Sequence, residues 1–95
     1  MKIVTQNAVA CFNRGGNRTF GNTQVVTEEG VTRLYLFGNL IAVKENGVLK
    51  VSNAGWFSNT TRERLNGLSE VHVKQKNFQW YLNGEEWNGS WKQIN

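Results

Sequence analysis

Four Asn-Gly pairs, Asn46-Gly47, Asn66-Gly67, Asn83-Gly84 and Asn88-Gly89, punctuate a chain that contains no proline. Asn and Gly tolerate positive φ, which a two-residue type I′ hairpin needs at both of its central positions. Gly16-Asn17, Gly21-Asn22 and Gly38-Asn39 add further breaks. Turns this closely spaced, without proline, read as short antiparallel strands. A chain of 95 residues also holds only one small core, so residues 1–95 are read as a single domain.

The strands can be placed between the turns. Residues 31–37 are β-branched and aromatic, Gly38-Asn39 breaks them, 40–44 follows, and Asn46-Gly47 leads into 48–52. With two-residue turns, Leu34, Leu36, Ile41, Val43 and Val48 share one face of this meander. Tyr35, Phe37, Leu40, Ala42, Leu49 and Val51 share the other. Both faces are then apolar, and each is expected to be covered by another layer. A second β region runs over 71–94. There Val71 and Val73 alternate with His72 and Lys74, turns are expected at Lys76-Asn77 and Asn83-Gly84, and Trp87 and Trp91 lie in a short last strand region.

Two helices are expected. Thr60-Thr61-Arg62-Glu63 has the S/T-x-x-E pattern of a capping box, with Leu65 and Leu68 as apolar anchors. Gly67 fits the left-handed residue after a helix end. The other helix covers about residues 5–13, where Val4, Ala8 and Cys11 recur at helical spacing and Gly15-Gly16 ends the segment. The β-branched Val4, Thr5 and Val9 leave an N-terminal strand as its rival. The expected fold class is α+β: an antiparallel sheet of five to six short strands with two short helices.

Composition restricts the chemistry. There is no Asp; all seven acids are Glu, and His72 and Cys11 are the only residues of their kinds. No Asp/His/Ser triad, two-Asp site or His/Cys metal cluster can be assembled from this inventory. Glu28-Glu29 and Glu85-Glu86 are adjacent pairs whose side chains diverge in a strand, so they are read as solvated charge. His72 is read as a surface residue and Cys11 as a buried, inert thiol. The protein is therefore expected to be no enzyme, with no catalytic residues, no metal and no cofactor. One Cys cannot form an internal disulfide, which points to a reducing compartment. No apolar run approaches the roughly 20 residues of a membrane span, and no secretory leader is visible. The expected location is cytoplasmic, without membrane contact.

The net charge is +4 and the pI is 9.6, which favours anionic partners. Lys2, Arg14 and Arg18 precede the first acid, Glu28. Residues 13–22 are glycine-rich and basic, so backbone amides with Arg14 and Arg18 could cradle a phosphate; the segment also reads as a plain connector. It matches neither a P-loop nor a dinucleotide fingerprint. Seven of the eleven aromatics fall in the last forty residues, interleaved with Arg62, Arg64, Lys74, Lys76 and Lys92. Aromatics on a sheet with flanking cations can stack bases and hold a phosphate backbone, although a small core also needs such rings. The candidate nucleic-acid or anion-binding residues are Arg14, Arg18, Arg62, Arg64, Lys74, Lys76 and Trp80.

Several strings carry a resemblance: 21–25 (GNTQV), 34–42 (LYLFGNLIA), 54–68 (AGWFSNTTRERLNGL) and 80–84 (WYLNG). Together they resemble small, uncharacterised proteins of tailed bacteriophages, over about residue 21 to the end. The resemblance carries no activity and no functional residue. It implies a phage product acting in the bacterial host cytoplasm. The expected function is a non-enzymatic accessory protein that binds nucleic acid, or a nucleic-acid-associated host factor, through a basic and aromatic surface. An inhibitor docking on a host bacterial protein, one of defence or metabolism, is the alternative. A sponge for a small anionic signal, built on Arg14, Arg18 and the glycine loop, is another.

Overall fold

Two-residue turns fold the middle of the chain into a continuous antiparallel meander. The computed structural model describes residues 2–95. Its elements are α1 (Ile3–Arg14), β1 (Arg18–Phe20), β2 (Thr23–Glu28), β3 (Val31–Leu36), β4 (Asn39–Glu45), β5 (Val48–Val51), α2 (Asn59–Leu65), β6 (Val73–Lys76), β7 (Gln79–Leu82), β8 (Glu85–Glu86) and β9 (Lys92–Gln93). They form a six-stranded sheet in the order β1-β2-β3-β4-β5-β9 and a three-stranded sheet in the order β6-β7-β8. The fold is α+β with antiparallel sheets.

At residues 3–14 the helix prevails over its strand rival. Thr5, Ala8, Cys11 and Phe12 form a buried stripe at helical spacing, and α1 packs it onto β1, β2 and β3. The helix ends where Gly15 takes a left-handed φ of 69°. The Gly15 and Gly16 amides close the last turn on the Phe12 and Cys11 carbonyls.

The expected two-faced apolar meander is not what forms. Tyr35 pairs with Leu40 but Leu34 pairs with Ala42, so Ile41 is an extra residue, a β-bulge in β4. One inserted residue moves everything beyond it to the opposite face. Ala42 and Val51 therefore stand opposite Leu34, on the core face, instead of behind it. Leu34, Ile41, Ala42, Leu49 and Val51 are all buried. Val43 is paired between Arg33 and Lys50, on the half-exposed outer face. The sheet thus has one core face to cover, and the helices share that core with residues of the small sheet.

The C-terminal β region also divides. Residues 73–86 make the small sheet, which sends Val73, Trp80 and Leu82 into the common core. The chain then returns so that β9 extends the large sheet beside β5, with Lys50 opposite Gln93 and Val51 opposite Lys92. The Asn95 side chain secures this edge, accepting from the Leu49 amide and donating to the Gly47 carbonyl, both at 2.8 Å.

Around α2 two expectations are corrected. The N-cap is Ser58, whose hydroxyl accepts the Thr61 amide at 3.1 Å; Thr60 lies inside the helix. Ser58 has the extended backbone that an N-cap needs, with φ −107° and ψ 157°. Gly67 is not left-handed either. A Cβ there would lie 2.7 Å from Thr5 Cγ2 and 2.8 Å from Val9 Cγ2, so glycine lets the end of α2 approach α1. Among the described residues no helix is long and apolar enough to cross a membrane.

Candidate nucleic-acid interface

Alternation along β6 divides its residues between two faces. Val73 turns inward with its partner Leu82, while Lys74 pairs with Tyr81 and Lys76 with Gln79 on the outer face. Tyr81 is in turn paired with Glu86 of β8. His72, Lys74, Gln75, Lys76, Tyr81, Asn83 and Gly84 line an open depression of about 860 Å³. The Asn83 side chain shapes one end, accepting the His72 amide at 2.8 Å and donating to the Glu70 carbonyl at 3.0 Å. Lys74 and Lys76 are exposed and in no ion pair; the two pairs among the described residues are Arg64–Glu63 and Lys92–Glu85. The face therefore offers two cations in no ion pair beside a phenol ring, with the exposed Glu86 carboxylate on the same face across from that ring.

Arg62 approaches β6 from α2. Its guanidinium donates to the Gln75 side chain at 2.7 Å and to the Asn59 side chain at 2.8 Å, and it lies 6.0 Å from the centre of the Trp80 ring. Of the basic candidates, Lys74 and Lys76 thus share the outer face of β6, while Arg62 reaches Gln75 and Trp80 on the opposite face of the small sheet.

The other candidates do not join them. Trp80 is only 2% exposed and is a core residue, not a stacking surface. It packs edge-on against Phe57 at 5.1 Å and tilted against Trp87 at 6.2 Å. Its neighbours on β7, Gln79 and Tyr81, point the other way, as strand alternation requires. Arg64 is 4% exposed and is withdrawn from any binding surface. It donates to the Thr23 hydroxyl and the Thr5 hydroxyl, both at 2.9 Å, and pairs with Glu63. Its place two residues from Arg62, which turns it to another side of α2, accounts for the difference.

Arg14 and Arg18 are exposed but belong to the last turn of α1 and to the edge strand β1. Arg18 lies over the Phe20 ring at 5.3 Å. The glycine loop between them is not an open cradle, because the Gly15 and Gly16 amides are already engaged as the helix cap. A helix C-terminus also presents its negative end.

Glu63 is held in a specific network. Burial pushes its carboxyl up, but hydrogen bonds from the Thr5 hydroxyl, the Lys2 backbone amide and Arg64, with the Arg64 charge, outweigh this. The carboxyl is held below its ordinary value of 4.5. Glu63 is therefore a fixed anion tying α2 to α1. Among the described residues no three His, Cys, Asp or Glu side chains gather into a metal site.

A second surface escaped the sequence reading. Phe37 and Trp56 are exposed and wall an apolar cavity of about 360 Å³ with Leu36, Ile41 and residues of the α2 N-terminus. The signal was Phe37-Gly38 itself: the turn falls one residue earlier than expected, which puts Phe37 outside the strand.

No curated protein and no solved structure matches this chain. A sequence model of the Kyanoviridae Gp96 protein family matches residues 1–93, nearly the whole chain, in keeping with the resemblance to small phage proteins. The chain belongs to the Kyanoviridae Gp96 protein family, a family of phage proteins.

Proposed function

We propose that this protein is a non-enzymatic phage accessory protein that binds nucleic acid in the host cytoplasm through the outer face of β6–β7–β8. One observation carries the reading: Lys74 and Lys76 stand unpaired on one strand face, with Tyr81 directly across from Lys74. Cations spaced along a strand meet a phosphate backbone, and a ring beside them meets bases. Neither helix has a run of basic residues that would enter a major groove, so contacts to the phosphate backbone dominate and sequence preference is weak.

Fluorescence anisotropy on labelled oligonucleotides from about 50 to 300 mM salt tests this. Each neutralised phosphate contributes about 0.7 to the salt slope on single strands. The paired substitution Lys74→Glu with Lys76→Glu is expected to weaken binding and lower that slope by about 1.4 (two contacts at 0.7). Absence of binding at the lowest salt removes the proposal.

The Phe37–Trp56 cavity favours a second reading, docking on a host protein. Exposed aromatics around an apolar hollow are the usual anchors of protein interfaces. Loss of a captured host protein on Trp56→Ala, with nuclease present throughout, separates it from the first.

A further inference from the structure

Among the described residues five tight hairpins have positive φ at both turn residues. Four of them carry glycine at the second position: Gly30, Gly38, Gly47 and Gly84. The fifth, between β6 and β7, carries Phe78 there, at φ 66°. A side chain with a Cβ is crowded in this region, and a bulky one is a true outlier. Packing does not compensate, because Phe78 is 97% exposed. The isolated chain is therefore worse off for this residue in two ways, by backbone strain and by apolar surface left in water. Such strain points to a role outside the chain's own stability.

The place of Phe78 in the fold says what the role is. Phe78 caps the hairpin whose outer face bears Lys74, Lys76 and Tyr81, with Lys76 in the pair that closes the turn. Lys74 and Lys76 are two strand residues, about 6.6 Å, apart. That spacing resembles the separation of successive phosphates in a stretched single strand. A ring at the end of such a row meets a base only if that base is unpaired.

We propose that Phe78 is the stacking residue for an unpaired base, and that the ligand of this face is single-stranded nucleic acid. This rests on the nucleic-acid reading above and narrows it from a polyanion to a strand with free bases.

The test uses Phe78→Gly, which removes the ring and relieves the strained φ, so folding is not at risk. Its melting temperature is expected to rise. Its affinity for a labelled single-stranded oligonucleotide is expected to fall about tenfold, the loss of one stacked base, with affinity for the matching duplex unchanged. Phe78→Leu keeps apolar bulk without the aromatic face and is expected to lose affinity similarly. A 2-aminopurine base in the strand should be quenched by the parent protein and not by Phe78→Gly. If the parent binds single strands and Phe78→Gly binds them equally well, the stacking assignment is overturned while the nucleic-acid reading stands. Full affinity in Phe78→Leu overturns stacking in favour of plain apolar contact. If the parent binds neither form at low salt, the underlying reading fails and takes this inference with it.

Discussion

The Glu63 carboxylate of α2 accepts the backbone N–H of Lys2 at 3.3 Å, so one helix supplies the N-terminal cap of the other across 61 residues of sequence. Lys2 is the N-cap position of α1, and its own side chain makes no capping bond. No acid lies in the first turn of α1 to meet the positive end of its dipole. Glu63 fills that role from outside. It occupies the last position of the S/T-x-x-E pattern, yet serves a different helix.

This arrangement makes stability depend on pH. The Glu63 carboxyl is held below 4.5 in the folded protein, so its ionised form favours folding. That contribution is present above the unfolded value and is lost as pH falls through the folded one. Glu63→Gln is expected to be less stable than the parent at neutral pH, with the gap closing on acidification. Urea unfolding at stepwise lower pH reads the gap; a constant gap would mean that the Glu63 charge contributes nothing.

Arg64 should be among the most sensitive positions. Its guanidinium joins Thr5 of α1, Thr23 of β2 and Glu63 of its own helix in a buried network. Removing one partner of such a network leaves the others unsatisfied. Arg64→Ala is expected to cost about 3 kcal/mol, and Arg64→Lys much of that, because an ammonium cannot reproduce the planar fork. Chemical denaturation measures both.

The two candidate caps of α2 can be told apart. Ser58→Ala removes the hydroxyl that accepts the Thr61 amide and should cost about 1 kcal/mol. Thr60→Ala, inside the helix, should change stability by no more than about 0.5 kcal/mol. Equal effects, read from thermal midpoints, would contradict the assignment of Ser58.

Gly67→Ala places a methyl against Thr5 and Val9 of α1, within 2.8 Å of both. Both neighbours are β-branched, and the Thr5 hydroxyl is already bonded to Glu63, so neither yields easily. The expected cost is about 1–3 kcal/mol. Hydrogen exchange should locate it as faster opening of α1; unchanged protection there would mean that the helices separate without loss.

Much of the local architecture is legible in the chain itself. Asn46-Gly47 and Asn83-Gly84 are two-residue turns with both residues at positive φ, and α1 ends at Gly15. These features follow from the conformational freedom of Asn and Gly, which neighbours hardly alter. The α+β class and the outward Lys74 likewise follow from turn density and strand alternation. Other features were decided only by packing. The bulge at Ile41 puts Ala42 opposite Leu34 on the core face and turns an apparently two-faced sheet into a one-faced one, because one extra residue reverses alternation. Trp80 goes inward because Phe57 and Trp87 close around it. Arg64 can be buried, while Arg62 two residues away stays near the surface, only because its partners Thr5 and Thr23 lie 59 and 41 residues distant. Turn chemistry is local to the few residues that make the turn. The burial of a charge depends on whether distant parts of the chain bring enough acceptors to it, and only the folded arrangement determines that.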